Sequence, residues 1–280
     1  MNDSPINGIV LTLLLFLCIA CTNEKEANNP PSPTTSIEPF IASKEVNLLD
    51  RKVISHHQLG AWQRDSPSVI LIDTRPDSSF QEGHLRGAVS LWRPDIESKL
   101  FPYKGMMLEK QKLELILGKF GATSKSVFVV YDNNGNADAA RLWWILSTYG
   151  HSKAYILNGG LQSTPKGLIS QVKTAIEPTK FSFPRTERHD LRANKKAVFA
   201  ALTDSNTILL DCRTLDEFTG KITKQNAFRA GRIPSAIHIN YTHSIAYHQA
   251  HQFKSSQELS LIFQAIPKDK NIIVYCQSGV

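Results

Sequence analysis

Val69-Ile70-Leu71-Ile72-Asp73-Thr74-Arg75 is an apolar run closed by an acid and a base, and it returns about 140 residues later as Ile208-Leu209-Leu210-Asp211-Cys212-Arg213. The likeness extends outward on both sides. Phe80 lies five residues beyond Arg75, and Phe218 five beyond Arg213. Gly83-His84-Leu85-Arg86-Gly87-Ala88-Val89 is then answered by Gly231-Arg232-Ile233-Pro234-Ser235-Ala236-Ile237. A helix with one apolar stripe follows in each copy. Leu113, Ile116, Leu117 and Phe120 have i, i+3, i+4, i+7 spacing, as do Leu259, Ile262, Phe263 and Ile266. Ser255 and Glu258 have the spacing of a capping box at the start of the second helix. Next come Val127-Phe128-Val129-Val130-Tyr131 and Ile272-Ile273-Val274-Tyr275, too short for helices and rich in β-branched residues. Apolar at every position, they read as strands buried on both faces, since a strand with one wet face alternates. The pattern predicts an α/β fold of two similar domains, each a mainly parallel sheet flanked by helices.

The first copy continues through a polar loop, Asp132-Asn133-Asn134-Gly135-Asn136, into a helix striped by Leu142, Ile145, Leu146 and Tyr149 and stopped at Gly150. Trp143 and Trp144 sit beside that stripe and read as packing, and His84 reads as a turn residue. A strand at 154–157 ends in Asn158-Gly159-Gly160. The stretch 164–192 has no clear periodicity and contains three prolines, so it reads as the connection between the copies. The resulting boundaries are a first domain at 45–168, a linker at 169–192 and a second domain at 193–280.

The N-terminus has another character. Ile9 to Ala20 is apolar, about twelve residues where a membrane-spanning helix needs about 20. It fits the core of an export signal with small Ala20 before the break. Cys18-Ile19-Ala20-Cys21 resembles a bacterial lipoprotein signal, which makes residues 1–21 a leader and Cys21 the lipidated first residue of the mature chain. No Lys or Arg precedes Ile9, and Cys18 stands where Leu is usual; a plain cleaved signal is the alternative. Residues 22–44, rich in Asn, Pro, Ser and Thr, read as a flexible tether. The expected location is exported, anchored by lipid in the bacterial envelope, or otherwise periplasmic. A net charge of +7 is scattered without a basic run, and no nucleic-acid motif is present. The two cysteines of the body, Cys212 and Cys276, are too few for a disulfide framework and suggest individual roles.

In open parallel sheets ligands bind beyond the carboxyl ends of the strands. Asp132 and Cys276 occupy equivalent places there, one per copy. Gln277-Ser278-Gly279-Val280 after the cysteine is small or polar, with a glycine, and suits a loop whose backbone N–H groups converge on one anion. Such a cradle favours a thiolate, the nucleophilic form of cysteine. A small buried hydrophobe at a strand end is the other reading of the bare residue.

Taken with Asp132 and Cys276, four segments resemble the two-domain rhodaneses, the thiosulfate and 3-mercaptopyruvate sulfurtransferases: Val129-Val130-Tyr131-Asp132, Ala139-Ala140-Arg141-Leu142-Trp143-Trp144, Leu157-Asn158-Gly159-Gly160 and Tyr275-Cys276-Gln277-Ser278-Gly279-Val280. The resemblance covers about residues 45 to 280. It implies Cys276 as catalytic nucleophile, carrying sulfur as a persulfide from a small anionic donor to cyanide or a thiol. It implies Asp132 as its inactive counterpart, and neither metal nor organic cofactor. Gln277, Ser278, Gly279 and Val280 become substrate-binding, and the uncharged Gln277-Ser278 pair resembles the mercaptopyruvate type, with Gln in place of the usual Gly. Arg213 and Arg229 are candidate substrate-binding cations. Arg232 is a further candidate, because the position where the family often has a substrate-binding arginine is Glu217. Asp211 with Arg213, like Asp73 with Arg75, also reads as a brace at the strand end. Cys212 is a packed core residue or else a resolving thiol. Two other readings stand beside sulfur transfer: a rhodanese-fold phosphatase or arsenate reductase, and a non-catalytic binding or regulatory module. The family continues past the position of Val280 with one more loop residue, a helix and a strand, so a chain ending there is expected to fold its second domain poorly and to be nearly inactive.

Overall fold

The computed structural model describes residues 52–65, 68–225, 227–277 and 279. Cys21, the leader, the tether, Ser278 and Val280 lie outside the described residues.

The first copy is built from β1 (Val53–Ile54), α1 (His56–Asp65), β2 (Val69–Asp73), α2 (Asp77–Glu82), β3 (His84–Leu85), β4 (Ala88–Ser90), α3 (Lys110–Lys119), β5 (Val127–Tyr131), α4 (Ala137–Thr148) and β6 (Ala154–Leu157). Its sheet is wholly parallel, in the order β1-β6-β5-β2-β4. Continuous apolar runs make this arrangement, because successive side chains go to opposite faces and each face meets helices. Ile72, Phe128, Val130 and Ile156 pack with Leu113 and Leu117 of α3 and Leu142, Ile145 and Leu146 of α4. Their alternates Leu71, Val129, Tyr131 and Leu157 pack with Leu59 of α1 and Phe80 of α2.

A connecting strand, β7 (Ile169–Ser170), pairs antiparallel with β3. His84 therefore lies in a short strand rather than a turn; it is buried, stacked on Phe80 at 3.8 Å, with Nδ1 2.8 Å from the Phe80 carbonyl oxygen. The connection also inserts Phe181 and Phe183 into the first core, beside Phe128 and His151.

The second copy contains α5 (Lys195–Ala201), β8 (Thr207–Asp211), α6 (Leu215–Thr219), β9 (Ile237–His238), β10 (Ile245–Ala246), β11 (Gln252–Phe253), α7 (Ser256–Ile262) and β12 (Asn271–Tyr275). Its parallel sheet runs β12-β8-β9, over a smaller core that includes Leu210, Ile239, Ile266 and Ile272. The Ser255–Glu258 capping box forms as the spacing predicts. The duplication is exact in register: Val69 to Asp73 pair with Val127 to Tyr131, and Thr207 to Asp211 with Asn271 to Tyr275. Among the described residues no helix is long and apolar enough to cross a membrane.

Candidate active site

An ion pair stands at the carboxyl end of the middle strand in each copy. Arg213 donates from Nε and Nη2 to both oxygens of Asp211 at 2.6–3.1 Å, and from Nη2 to the Gly231 carbonyl at 2.8 Å. Arg75 repeats this with Asp73 at 2.7–3.1 Å and with the Gly83 carbonyl at 2.6 Å. The bidentate geometry satisfies a fully buried carboxylate and ties the strand end to the turn after the next helix. Burial alone raises an acid's pKa, but the Arg213 hydrogen bonds outweigh it and hold Asp211 below the usual carboxylate range. The last strand residue joins each brace: the Tyr275 hydroxyl accepts the Ile233 N–H at 3.2 Å, and the Tyr131 hydroxyl the Leu85 N–H at 3.0 Å. Arg213 is thus engaged in bracing the strand end.

One residue further on, the copies diverge. Asp132 is buried and accepts three backbone N–H groups: Asn134 at 2.8 Å and Asn136 at 3.0 Å on Oδ1, Ala139 at 3.1 Å on Oδ2. Desolvation raises this acid's pKa and the three N–H groups oppose the rise. The loop passes through Gly135 at φ +70° and opens α4. It is an anion cradle, with a carboxylate built in.

Cys276 holds the same place after β12, with Gly279 at φ +68° matching Gly135. The Gly279 N–H donates to Cys276 Sγ at 3.0 Å. A backbone donor on sulfur favours the thiolate, and it serves a persulfide anion equally.

Sequence reasoning did not mark the residue that reaches this loop from the other copy. Arg141 of α4 donates from Nη1 to the Gly279 carbonyl at 2.9 Å and from Nη2 to the Gly105 carbonyl at 2.6 Å. A Cβ on Gly279 would lie 2.7 Å from that Nη1 and would displace the guanidinium, and the positive φ itself favours glycine. The cysteine loop is therefore held against the first copy.

Two other sequence candidates have different surroundings. Arg229 is exposed on the segment joining α6 to β9. Arg232 lies over the Phe218 ring at 4.5 Å. Glu217 is buried as the capping partner of Thr214 at the start of α6. Cys212 packs on the second core beside Cys276, and burial first, then the negative charge of Cys276, push its thiol up to about 12. At neutral pH it stays protonated, which disfavours it as a nucleophile. Among the described residues no group of three or more His, Cys, Asp or Glu could hold a metal ion.

Comparison with known proteins bears on this geometry. A family model described as a rhodanese-like domain matches residues 55–164 and 195–280. The putative thiosulfate sulfurtransferase of Mycobacterium leprae is 30% identical over 226 residues, covering 77% of this chain and 79% of that protein. The thiosulfate sulfurtransferase of Pseudomonas aeruginosa is 27% identical over 213 residues, covering 76% and 78%. In fold, the chain resembles the crystal structure of SseA from Escherichia coli, described as a 3-mercaptopyruvate sulfotransferase, with TM-score 0.70 at 24% identity over 81% of this chain and 89% of that one.

Proposed function

The chain belongs to the rhodanese family and is a sulfurtransferase, and from that premise we propose that it carries a sulfane sulfur as a persulfide on Cys276. The reading rests on one observation above others. The Gly279 N–H meets Cys276 Sγ at the strand end where the first copy presents a carboxylate to three N–H groups. A loop that holds one anion in the first copy holds a reactive one in the second.

The donor is a small anion, thiosulfate or 3-mercaptopyruvate. With thiosulfate, the Cys276 thiolate attacks the outer sulfur, an S–S bond forms to Cys276, and sulfite leaves with the electron pair of the old bond. With 3-mercaptopyruvate the donor's C–S bond breaks, and its thiol proton ends on the methyl group of pyruvate. In the second half-reaction cyanide takes the outer sulfur as thiocyanate, or a thiol takes it as a persulfide, and the thiolate is regenerated. Two half-reactions through one covalent intermediate give ping-pong kinetics. With thiosulfate and cyanide no proton moves once Cys276 is ionised, so the backbone cradle and nearby cations carry the charge stabilisation. With 3-mercaptopyruvate a proton must also pass from the donor thiol to carbon.

The test is an assay with both donors and cyanide, with Cys276→Ser as control. Thiocyanate formed by the wild-type chain and abolished by Cys276→Ser is the expected result; turnover persisting in the variant overturns the assignment. Phosphate released from an aryl phosphate would instead indicate a phosphatase.

We further propose that the leader ending at Cys21 exports the chain and anchors it by lipid in the bacterial envelope. Lipid precursor incorporated by the wild type and not by Cys21→Ala supports this; equal incorporation contradicts it.

A further inference from the structure

Arg141 is an unusual arginine. It is 4% exposed, yet among the described residues it pairs with no carboxylate. Its two Nη atoms donate to the carbonyls of Gly279 and Gly105, its Nε is buried without a hydrogen-bond partner among the described residues, and its guanidinium lies 4.8 Å from the centre of the Trp144 ring. Nearby Arg93 is already engaged by Glu97 and Asp138. A buried cation with only neutral partners is costly unless an anion is close. Cys276, whose loop Arg141 holds through the Gly279 carbonyl, and Glu97 are groups of opposite sign that act on it. Desolvation and Arg93 bring the Arg141 guanidinium down to about 10, and Cys276, Glu97 and Tyr149 act in the opposite direction.

We propose that Arg141 is a positioning residue of the sulfur-transfer site, lent by the first copy. It fixes Gly279 through its carbonyl and sets a buried positive charge beside the loop, and so favours both anionic forms of Cys276, thiolate and persulfide. Gly279 is then held from two sides, its N–H on the sulfur and its carbonyl on Arg141. The first copy, with Asp132 at the position of the nucleophile, thereby supplies charge to the second. Among the described residues, Arg141 and Cys212 are titratable or charged groups that act on Cys276, and Cys212 is protonated over the relevant range.

The inference rests on the sulfur-transfer reading but is tested without a donor. The rate at which iodoacetamide alkylates Cys276, read on its own peptide by mass spectrometry, is followed against pH. Arg141→Gln is expected to raise the midpoint by about one unit and to slow alkylation at neutral pH about tenfold, because thiolate is the reacting form. Arg141→Lys keeps the charge and loses the fork, and shifts the midpoint by less than half as much. Midpoints equal to the wild type in both folded variants would overturn the proposal. Should Arg141→Gln fail to fold, the wild-type chain decides alone. The NMR signals of the Arg141 guanidinium are expected to step at the alkylation midpoint and to lose that step in Cys276→Ser; no step in the wild type overturns the proposal. An Arg141 effect in a chain that forms no persulfide would leave this inference standing and remove the function it serves.

Discussion

Gly135 and Gly279 turn the two strand-end loops through the same left-handed conformation, and what precedes each decides the chemistry. Asp132→Ala leaves three N–H groups without their acceptor, and the two in buried bonds, those of Asn136 and Ala139, cost about 1–3 kcal/mol each. It is expected to lower the melting temperature by several degrees while Cys276 is untouched. An unchanged melting temperature would show that the cradle is not stabilised by its carboxylate. Gly279→Ala puts a Cβ against Arg141 and strains a positive φ, at a cost of about 1–2 kcal/mol. Its expected signature is slower alkylation of Cys276 together with a melting temperature lowered by a few degrees.

At the scale of elements, the apolar runs were legible because burial on both faces leaves a signal in every residue. β2, β5, β8 and β12 follow from it, as do the stripes of α3, α4 and α7. Two-residue strands such as β1, β3 and β9 carry no periodicity, and they form only because a neighbouring strand supplies the ladder. Phe181 and Phe183 were equally silent, since an extended segment with isolated aromatics looks like any linker until the core it covers is known. Their neighbour His151 gives the element a pH dependence. Burial first, then Lys153 and Lys52, lower it from 6.5 to about 4. A base whose folded pKa is depressed binds its proton more readily in the unfolded chain. It therefore leaves the fold undisturbed above pH 6.5 and costs stability as pH falls from there to about 4. His151→Phe is expected to flatten melting temperature against pH across that window; an unaltered slope would assign the acid sensitivity elsewhere.

At the scale of the whole molecule, each copy's strand-end loop meets the other copy. The second copy's β10–β11 hairpin region covers the loops of the first: His251 Nδ1 lies 3.2 Å from the Asn133 carbonyl oxygen, and the Phe253 N–H donates to Asn158 Oδ1 at 2.9 Å. Gly159, at φ +75°, leaves no room there, since a Cβ would sit 2.6 Å from the Ala250 carbonyl oxygen. Gly159→Ala is expected to loosen the docking and to lower sulfur transfer at least severalfold, with Cys276 unchanged. Full transfer in that variant would show that docking does not govern the site. The contact from Arg141 to Gly279 spans 138 residues and ends on carbonyls, so no spacing or charge pattern could announce it. Cys276 was legible as a repeat position, whereas its environment belongs to the assembled pair.

The most direct measurement is the intact mass of the Cys276 peptide after incubation with thiosulfate or 3-mercaptopyruvate, taken before and after cyanide. A gain of one sulfur atom on Cys276, absent from Cys212 and removed by cyanide with release of thiocyanate, is the predicted result. No added sulfur from either donor, or sulfur resting on Cys212 instead, would contradict it.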